Sequence, residues 1–438
     1  MLNLIDLSNA YEAGKQMFLD AMSRSGNKTF KVKEAYGSCY TPDDNFNGSI
    51  GNTNCIAMGD NLEYMIHLIK DKDMAGKLQL IYVDPPFFSS GKYQASIRLE
   101  SKALGPSSVI KLGAYDDRWS QGMPQYLTML TARLFAMREL LSDTGCIWMH
   151  LDWHGVYYVK VIMDQIFGEG NFINEVIWTY KSGGSSKRSF AKKHDTLLVY
   201  GKTKKYKFNP LTEKSYNRGL KPYRFKGVEE FCDDVGWYTN VNMKDVWSID
   251  MVGRTSSERT GYATQKPEKL MERIIESCTD PDDLCADFFA GSGTFGTVCE
   301  KKGRKWIMCD EGELSVSGQI HRLGALNSSF FVQKQDESTG GEVKYSISGG
   351  LINLLECDVP IPEDRDKEME ELSRYKAHDS LCLVKCWSAG YTNEDGIHIA
   401  DHVSGDSWGI YELDREQKDI SILGYDVFGR IIRGIREK

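Results

Sequence analysis

The sequence predicts an α/β fold, a mostly parallel sheet with helices on both faces. Three observations predict it. Short apolar runs alternate with helical periods between residues 59 and 310, the pattern of successive strand–helix units. The run Leu78 to Val83 is apolar enough for a strand buried on both faces, as parallel strands are. A glycine-rich turn, Gly291-Ser292-Gly293-Thr294, divides a strand period from a helical one, the arrangement of a Rossmann-like sheet.

Each element follows from its local pattern. Residues 1–29 read as a short, partly helical lead-in ending in the turn Ser23-Arg24-Ser25-Gly26-Asn27. Gly59-Asp60-Asn61-Leu62 opens a helix, with Leu62, Met65, Ile66 and Ile69 at helical spacing and Asp60 or Asn61 as its cap. The strand from Leu78 stops at Asp84-Pro85-Pro86. Leu127, Leu130, Leu134, Met137 and Leu141 mark an amphipathic helix over Tyr126 to Leu141. Asp143-Thr144-Gly145 ends it, and Cys146 to Leu151 is the next strand. Val156 to Phe167 is helical, closing at Gly168. Strand-like runs follow at Glu175 to Tyr180 and Thr196 to Tyr200. Lys269 to Cys278 is helical, Leu284 to Phe289 a strand, the stretch to Lys302 a helix, and Arg304 to Cys309 a strand ending at Asp310.

The character changes from about Gly340. The segment to Glu371 is acidic and reads as loop-rich, and residues 380–438 hold short strand-like pieces such as Ser421 to Phe428. The expected organisation is an N-terminal extension (1–29), a core domain (30–325) with an insertion at 181–255, and a small C-terminal accessory domain (330–438).

A chain of 438 residues has room for two or three domains. Its 41% hydrophobic and 26% charged content are ordinary for a globular protein. No apolar run approaches the ~20 residues needed to cross a bilayer, and Met1 to Lys15 lacks the basic-then-apolar layout of a signal peptide. A cytoplasmic protein is expected. The 11 cysteines are scattered, without repeated zinc-site spacing, so free thiols and no metal are expected.

The net charge of −8 conceals an asymmetry. Between Lys181 and Lys226 stand fourteen basic residues, opposed only by Asp195 and Glu213, a local charge of +12 that leaves −20 for the remainder. A basic island in an acidic protein is the footprint of a polyanion. Phe190, Tyr200, Tyr206, Phe208, Tyr216, Tyr223 and Phe225 lie among these charges, and bases stack on such rings.

Two motifs carry chemistry. The first is the loop Phe289-Ala290-Gly291-Ser292-Gly293-Thr294. With Gly296 it satisfies Gly-x-Gly-x-x-Gly, and Asp310 follows at the end of the next strand. Nicotinamide and adenosylmethionine enzymes both place an adenosine on such a loop, so the loop alone does not separate them. The second motif is Asp84-Pro85-Pro86-Phe87. An exocyclic amine on a base is a poor nucleophile because its lone pair is delocalised into the ring. Acceptors must hold its hydrogens and aim the lone pair. Asp84 offers a carboxylate, the prolines fix carbonyls at set angles, and Phe87 offers a flat face. A base inside a duplex reaches such a pocket only by flipping out.

With these residues the chain resembles the β class of amino-methylating DNA methyltransferases, in which the catalytic turn precedes the cofactor loop. The resemblance runs from about Gly59 to Glu311. It takes in Gly59 to Glu63, Asp84 to Phe87, Ile166-Phe167-Gly168, Ile177-Trp178, Glu258-Arg259-Thr260-Gly261-Tyr262, Thr264 to Leu270 and Phe289 to Thr294. Phe288 departs from the family, which usually has proline there, and Phe88 stands where a polar residue is common.

The resemblance implies S-adenosylmethionine as cofactor and direct methyl transfer to the amine of a flipped base. It implies that Asp84, Pro85, Pro86 and Phe87 bind that base. Asp287, Phe289, Ala290, Gly291, Gly293 and Thr294 would surround the cofactor, with Asp310 on its ribose and Gln265, Lys266 and Pro267 beside its carboxylate. Trp178 and Tyr180 would frame the base. Lys181, Lys187, Arg188, Lys192 and Lys193 would contact DNA from a target-recognition segment. An aspartate-headed turn favours adenine in this family. The implied partner is double-stranded DNA, with a restriction or specificity subunit and a homodimer as further expectations, in a bacterial, archaeal or phage-encoded system. The competing readings are a cytosine amino-methyltransferase, an RNA or protein methyltransferase, a silent DNA-binding subunit and a nicotinamide dehydrogenase.

Overall fold

The computed structural model describes residues 3–24, 30–37, 53–105, 107–181, 186–335, 339–363, 366–412 and 420–437. Most of the turn expected at Ser23 to Asn27 lies outside them. Helix α1 (Leu4–Ser23) opens the chain, closed by a capping box between Asn3 and Asp6. Strand β1 (Lys31–Tyr36) follows, then β2 (Asn54–Met58), helix α2 (Asn61–Asp71) and β3 (Leu78–Val83). Asp60 caps α2, accepting from the Glu63 N–H at 3.0 Å. A hairpin, β4 (Lys92–Leu99) and β5 (Ser108–Asp116), leads to α3 (Met123–Leu140) and β6 (Leu141–Leu151).

Strand β6 begins directly after α3, so the expected turn at Asp143 to Gly145 is absorbed into the strand. The reason is local: the Ser142 and Thr144 hydroxyls both donate to the Gln79 side chain on β3, at 3.2 and 2.8 Å. Helix α4 (Val156–Met163) runs on into a π turn over Asp164–Gly168. Then come β7 (Phe172–Thr179) and β8 (His194–Gly201). A small separate sheet joins β9 (Thr212–Tyr216), β10 (Phe231–Cys232) and β11 (Trp237–Asn242). Strand β12 (Val246–Ser248) returns to the main sheet beside β7. The chain continues through α5 (Glu268–Cys278), β13 (Leu284–Asp287), α6 (Thr294–Lys301), β14 (Lys305–Asp310), α7 (Glu313–Gly324) and β15 (Phe330–Lys334).

The centre of the main sheet is parallel, in the order β6, β3, β13, β14, β2, β15. Side chains alternate across it. Leu78, Ile81 and Val83 of β3 pack into a core under α1, α2, α3 and α4, and Leu80 and Tyr82 into a core under α5, α6 and α7. Burial on both faces is why β3 carries apolar residues at successive positions. Every central strand points its carboxyl end the same way, which brings Asp84 and the loop after β13 to one rim.

The C-terminal expectation needs correction. The acidic stretch after Gly340 is a hairpin, β16 (Thr339–Ser348) and β17 (Leu351–Asp358), followed by α8 (Lys367–His378). Val343, Tyr345, Ile352, Leu354 and Cys357 are buried, while Glu342, Glu356 and Asp358 face out. The exposed charges gave the composition of a loop to what is a period-2 strand pattern. Strands β18 (Val384–Thr392), β19 (His398–Ser404), β20 (Tyr411–Glu412), β21 (Ser421–Asp426) and β22 (Ile431–Arg436) complete this part. It joins the main sheet through β1, which pairs antiparallel with β15 on one side and parallel with β19 on the other. At that seam the buried Lys334 Nζ donates to Glu34 Oε1 at 2.6 Å, and the Tyr36 and Tyr425 hydroxyls donate to the same carboxylate. All ten described cysteines are free, and only Cys232 among them is exposed. Among the described residues no helix is long and apolar enough to cross a membrane.

Candidate active site

Strand β3 delivers Asp84 to the rim, and the turn that follows is strained. Phe88 and Ser90 adopt positive φ angles of 63° and 61°, a conformation that non-glycine residues rarely take. Asp117, 1% exposed, holds it. Its carboxylate accepts from the Phe88 N–H (3.1 Å), the Ser89 N–H (2.6 Å), the Ser89 hydroxyl (2.6 Å) and the Trp119 indole (2.9 Å). Strained residues held in this way cluster at functional sites. Asp84 Oδ2 accepts from Lys266 Nζ at 2.5 Å. Asp84 Oδ1 is buried and has no hydrogen-bond partner. Lys266 Nζ also lies 5.2 Å from the centre of the Phe87 ring, a cation over an aromatic face.

The second half of the site is the loop between β13 and α6. The Phe289 N–H donates to Asp287 Oδ1 (2.9 Å), and the Gly291 and Gly312 N–H groups to the two oxygens of Asp310 (2.8 and 2.9 Å). The Gly291 carbonyl accepts from Ser315 Oγ (2.6 Å) and Gln319 Nε2 (3.1 Å). Gly293 has φ 72°, and a Cβ there would stand 2.8 Å from Gln319 Cγ, so only glycine lets α6 start this close to α7. Burial pushes the Asp287 carboxyl well above its ordinary range, and Asp84 and Asp310 add to the effect. Burial likewise raises Asp310, against its backbone hydrogen bonds, and raises Glu311 with help from Asp310 and Asp60.

Both halves line one cavity of about 470 Å³. Asp84, Pro85, Pro86 and Phe87 form one wall, and Asp287, Phe289, Ala290, Gly291, Thr294 and Asp310 the other. Of the three residues before α5, the structure brings only Lys266 to this cavity. Gln265 turns away, accepting from Thr260 N (2.8 Å) and donating to Glu258 O (2.6 Å), and Pro267 is the cap of α5. Gly293 sits behind the loop against Gln319.

The expectation for Trp178 is corrected outright. It is 0% exposed, its indole donates to the Ile249 carbonyl at 2.7 Å, and it offers no face to a base. A tryptophan on an inner strand gains more from burial than from the rim. Tyr180 stands beside it with its hydroxyl on Asp195 Oδ1 at 3.1 Å. Neither residue lines the cavity.

The basic island divides. Lys207 pairs with Asp280 and Asp283, Lys214 with Asp233, and Lys202 donates to the Leu141 carbonyl, so these lysines hold the fold. Lys181 is exposed, 3.4 Å from Asp250. Lys187, Arg188 and Lys192 are exposed on the connection from β7 to β8, with Lys193 half-buried beside them. Phe190 in their midst is 99% exposed. Lys192 Nζ lies 3.2 Å from the centre of the Trp153 ring, just past the carboxyl end of β6. This group therefore stands on the same side of the sheet as Asp84.

Several cavity residues were not singled out from sequence. Tyr93 and Tyr115 come from the β4–β5 hairpin, and Tyr262 from the loop after β12. That loop is pinned by Gly261, whose φ is 85° and whose absent Cβ would fall 2.4 Å from the Ser96 carbonyl. Asn61, read only as a possible helix cap, donates to the Phe288 carbonyl at 2.7 Å and accepts from Arg133. Both Asn61 and Arg133 line the cavity. Tyr262 lay inside a motif recognised in the sequence; the others have no local signal, because the sheet assembles them.

The DNA methylase family model N6_N4_Mtase matches residues 78–318. The chain is 28% identical over 307 residues to the Type II methyltransferase M.EcaI of Enterobacter cloacae, covering 56% of this chain and 65% of that protein. It is 27% identical over 272 residues to the Type II methyltransferase M.HinfI of Haemophilus influenzae, covering 57% and 66%. The chain thus spans about two thirds of the length of these curated relatives. The structure of the cytosine-N4-specific PvuII DNA methyltransferase aligns with a TM-score of 0.42 at 17% identity, over 67% of this chain and 90% of that one.

Proposed function

The chain belongs to the DNA methylase family, and from that premise we propose that it methylates the exocyclic amine of adenine at a short site in double-stranded DNA, with S-adenosylmethionine as donor. One observation carries the reading. Asp84 lines the cavity whose other wall is the glycine loop, and its Oδ1 is buried without a hydrogen-bond partner.

The residues present suit the cofactor. A cavity of about 470 Å³ is the size of a small-molecule site. Asp287, Asp310 and Glu311, all raised in pKa, form an electron-rich wall that favours a ligand bearing positive charge. Phe289, Ala290, Gly291 and Asp287 would hold its methionine part, and Asp310 or Glu311 its ribose. When bound, the cofactor supplies a methyl group activated by a positively charged sulfur.

The chain's own residues do the rest. Asp84 Oδ1 accepts an amino hydrogen and turns the nitrogen lone pair toward the second wall. Phe87 stacks on the base, worth roughly 1–3 kcal/mol and offsetting part of the flipping cost. The Asp84 carboxylate faces positive charge as it develops on nitrogen, a preorganised electrostatic role. The aspartate at the head of the turn favours adenine.

Residues 30–325 are assigned as the catalytic domain, 181–255 as target recognition and 330–438 as accessory. Lys181, Lys187, Arg188, Lys192 and Lys193 are assigned to backbone phosphates. The relatives are Type II methyltransferases of bacteria; a bacterial cytoplasmic protein acting beside a restriction subunit is part of the same proposal. A homodimer belongs to the same reading.

The decisive experiment expresses the chain in a methylation-free host and maps modified bases in its genomic DNA at single-nucleotide resolution. Methyl groups on adenine within one short motif are the expected result. Methyl groups on cytosine would overturn the base assignment alone, and unmodified DNA would overturn the activity.

A further inference from the structure

The β4–β5 hairpin brings two tyrosines to the cavity, and what holds the hairpin lies outside the site. It is a two-stranded sheet of its own, and two strands without further backing are marginally stable in water. Tyr93 and Tyr115 face each other across it. Their rings stack, with centres 4.6 Å apart and planes 15° from parallel, and both line the cavity. The Ser89 hydroxyl donates to Asp117 Oδ2, and the Thr264 hydroxyl to the Ala263 carbonyl. The tyrosines are therefore the donors in the remaining bonds, Tyr93 to Ser89 Oγ at 2.8 Å and Tyr115 to Thr264 Oγ1 at 3.3 Å. One tyrosine thus joins the turn after Asp84, and the other joins the loop before Lys266. A third tie runs from the Ser96 N–H to the Gly261 carbonyl at 2.9 Å, beside Tyr262.

The far end of the hairpin belongs to the C-terminal part. Ala95, Leu99, Ile110 and Leu112 are buried in one hydrophobic core with Val343, Ile352, Leu372 and Tyr375, and β5 lies against α8. Asp379, at the end of α8, fastens the connection between the two strands. Its carboxylate accepts from the Ser101 hydroxyl and the Lys102 N–H, both at 3.2 Å, and from the Trp408 indole at 3.1 Å. Ser101 Oγ in turn accepts from the Ala103 and Leu104 N–H groups at 3.0 and 3.2 Å. Asp379 therefore holds the residue around which the connection turns. Roughly 25 Å of extended chain lies between that anchor and Tyr93.

We propose that the C-terminal strands and α8 brace the β4–β5 hairpin, and that Asp379 is a positioning residue that holds, through the hairpin, Tyr93 and Tyr115 as a wall of the cavity beside Asp84. The brace itself is a property of the fold. Its consequence for turnover rests on the methyl-transfer reading and deepens it. A braced wall keeps the target base in register with Asp84 and keeps water out on that side. An unbraced wall leaves the chemistry unaltered and loses the placement.

Hydrogen exchange on the full-length protein tests the brace. In the wild type, the amides of β4 and β5 should open together with those of β16, β17 and α8, as one cooperative unit. In Asp379→Ala the hairpin amides should exchange roughly 10-fold faster, with those of β3 and β13 unchanged. Hairpin amides that open with β3 in the wild type, or that keep their rate in the variant, would overturn the inference. Single-turnover methylation at saturating DNA tests the consequence. Asp379→Ala should lose roughly 10-fold in rate, within the scale of a misplaced reacting group, with DNA affinity unchanged. Tyr93→Ala and Tyr115→Ala together should lose more. Adding Asp379→Ala to that pair should lose nothing further, because a residue that acts through others is not additive with them. A wild-type rate in Asp379→Ala, or a further loss of roughly 10-fold in the triple variant, would overturn the role given to Asp379. An inactive wild-type protein would overturn the methyl-transfer reading, and hydrogen exchange would still decide the brace.

Discussion

Lys266 Nζ lies 2.5 Å from Asp84 Oδ2, joining two residues 182 positions apart at the wall of the cavity. Both side chains are largely buried, at 9% and 17% exposure. The lysine fixes one carboxylate oxygen and leaves the other without a hydrogen-bond partner. Lys266→Met should lower stability by about 2 kcal/mol, as expected when one partner of a buried charged pair is removed, and should lower kcat. Chemical denaturation and steady-state methylation read the two effects.

On the proposed reading, Asp84→Ala removes the carboxylate that would hold the target amine. Methylation should fall at least about 1,000-fold, the scale of losing a preorganised electrostatic group, while calorimetric binding of S-adenosylmethionine persists. Near-normal turnover would remove Asp84 from its assigned role.

Asp117→Ala leaves the strained turn at Phe88 and Ser90 without its four donors' acceptor. A loss of about 2–4 kcal/mol is expected in denaturant unfolding, from several hydrogen bonds to one charged group. Turnover should fall as well, because the turn that carries Asp84 is no longer fixed.

The raised carboxyl of Asp287 makes stability depend on pH. A carboxyl whose pKa is higher in the folded state contributes stability at pH below its unfolded value, and that contribution is lost as pH rises through the folded value. Asp287→Asn should therefore melt above the wild-type protein at neutral and alkaline pH. The gap should close on acidification. Ligand-free thermal scans across pH show it, and a constant gap would contradict the effect.

Replacing Lys187, Arg188, Lys192 and Lys193 together by Gln should weaken DNA binding and flatten its salt dependence. The slope of log K against log salt should shrink by about 0.9 for each phosphate that is no longer neutralised. An unchanged slope would move the DNA surface elsewhere. Phe190→Ala alone should leave the slope unchanged, since it carries no charge.

Contiguous features were legible in the sequence. The strand to Val83, the turn after it and the glycine loop each lie within a few residues, so local rules reach them. The pairing of Lys266 with Asp84, the grip of Asp117 on the turn and the line from Tyr82 through His150 to Asp195 were not. The last exists only through the strand order β8, β6, β3, and the first two join loops far apart in the chain, so no local pattern encodes any of them. Trp178 misled because an aromatic residue near a catalytic motif has the same local look whether it faces the rim or the core. The hairpin after Gly340 misled because its outward charges outweighed its alternation.

Strand β1 is hydrogen-bonded along both of its long sides, to β15 and to β19. A chain cut after Lys334 would keep every residue of the cavity, yet it would expose the outer side of β1 as a row of unsatisfied N–H and C=O groups. Such an edge recruits strands from other molecules. The last hundred residues cover that edge.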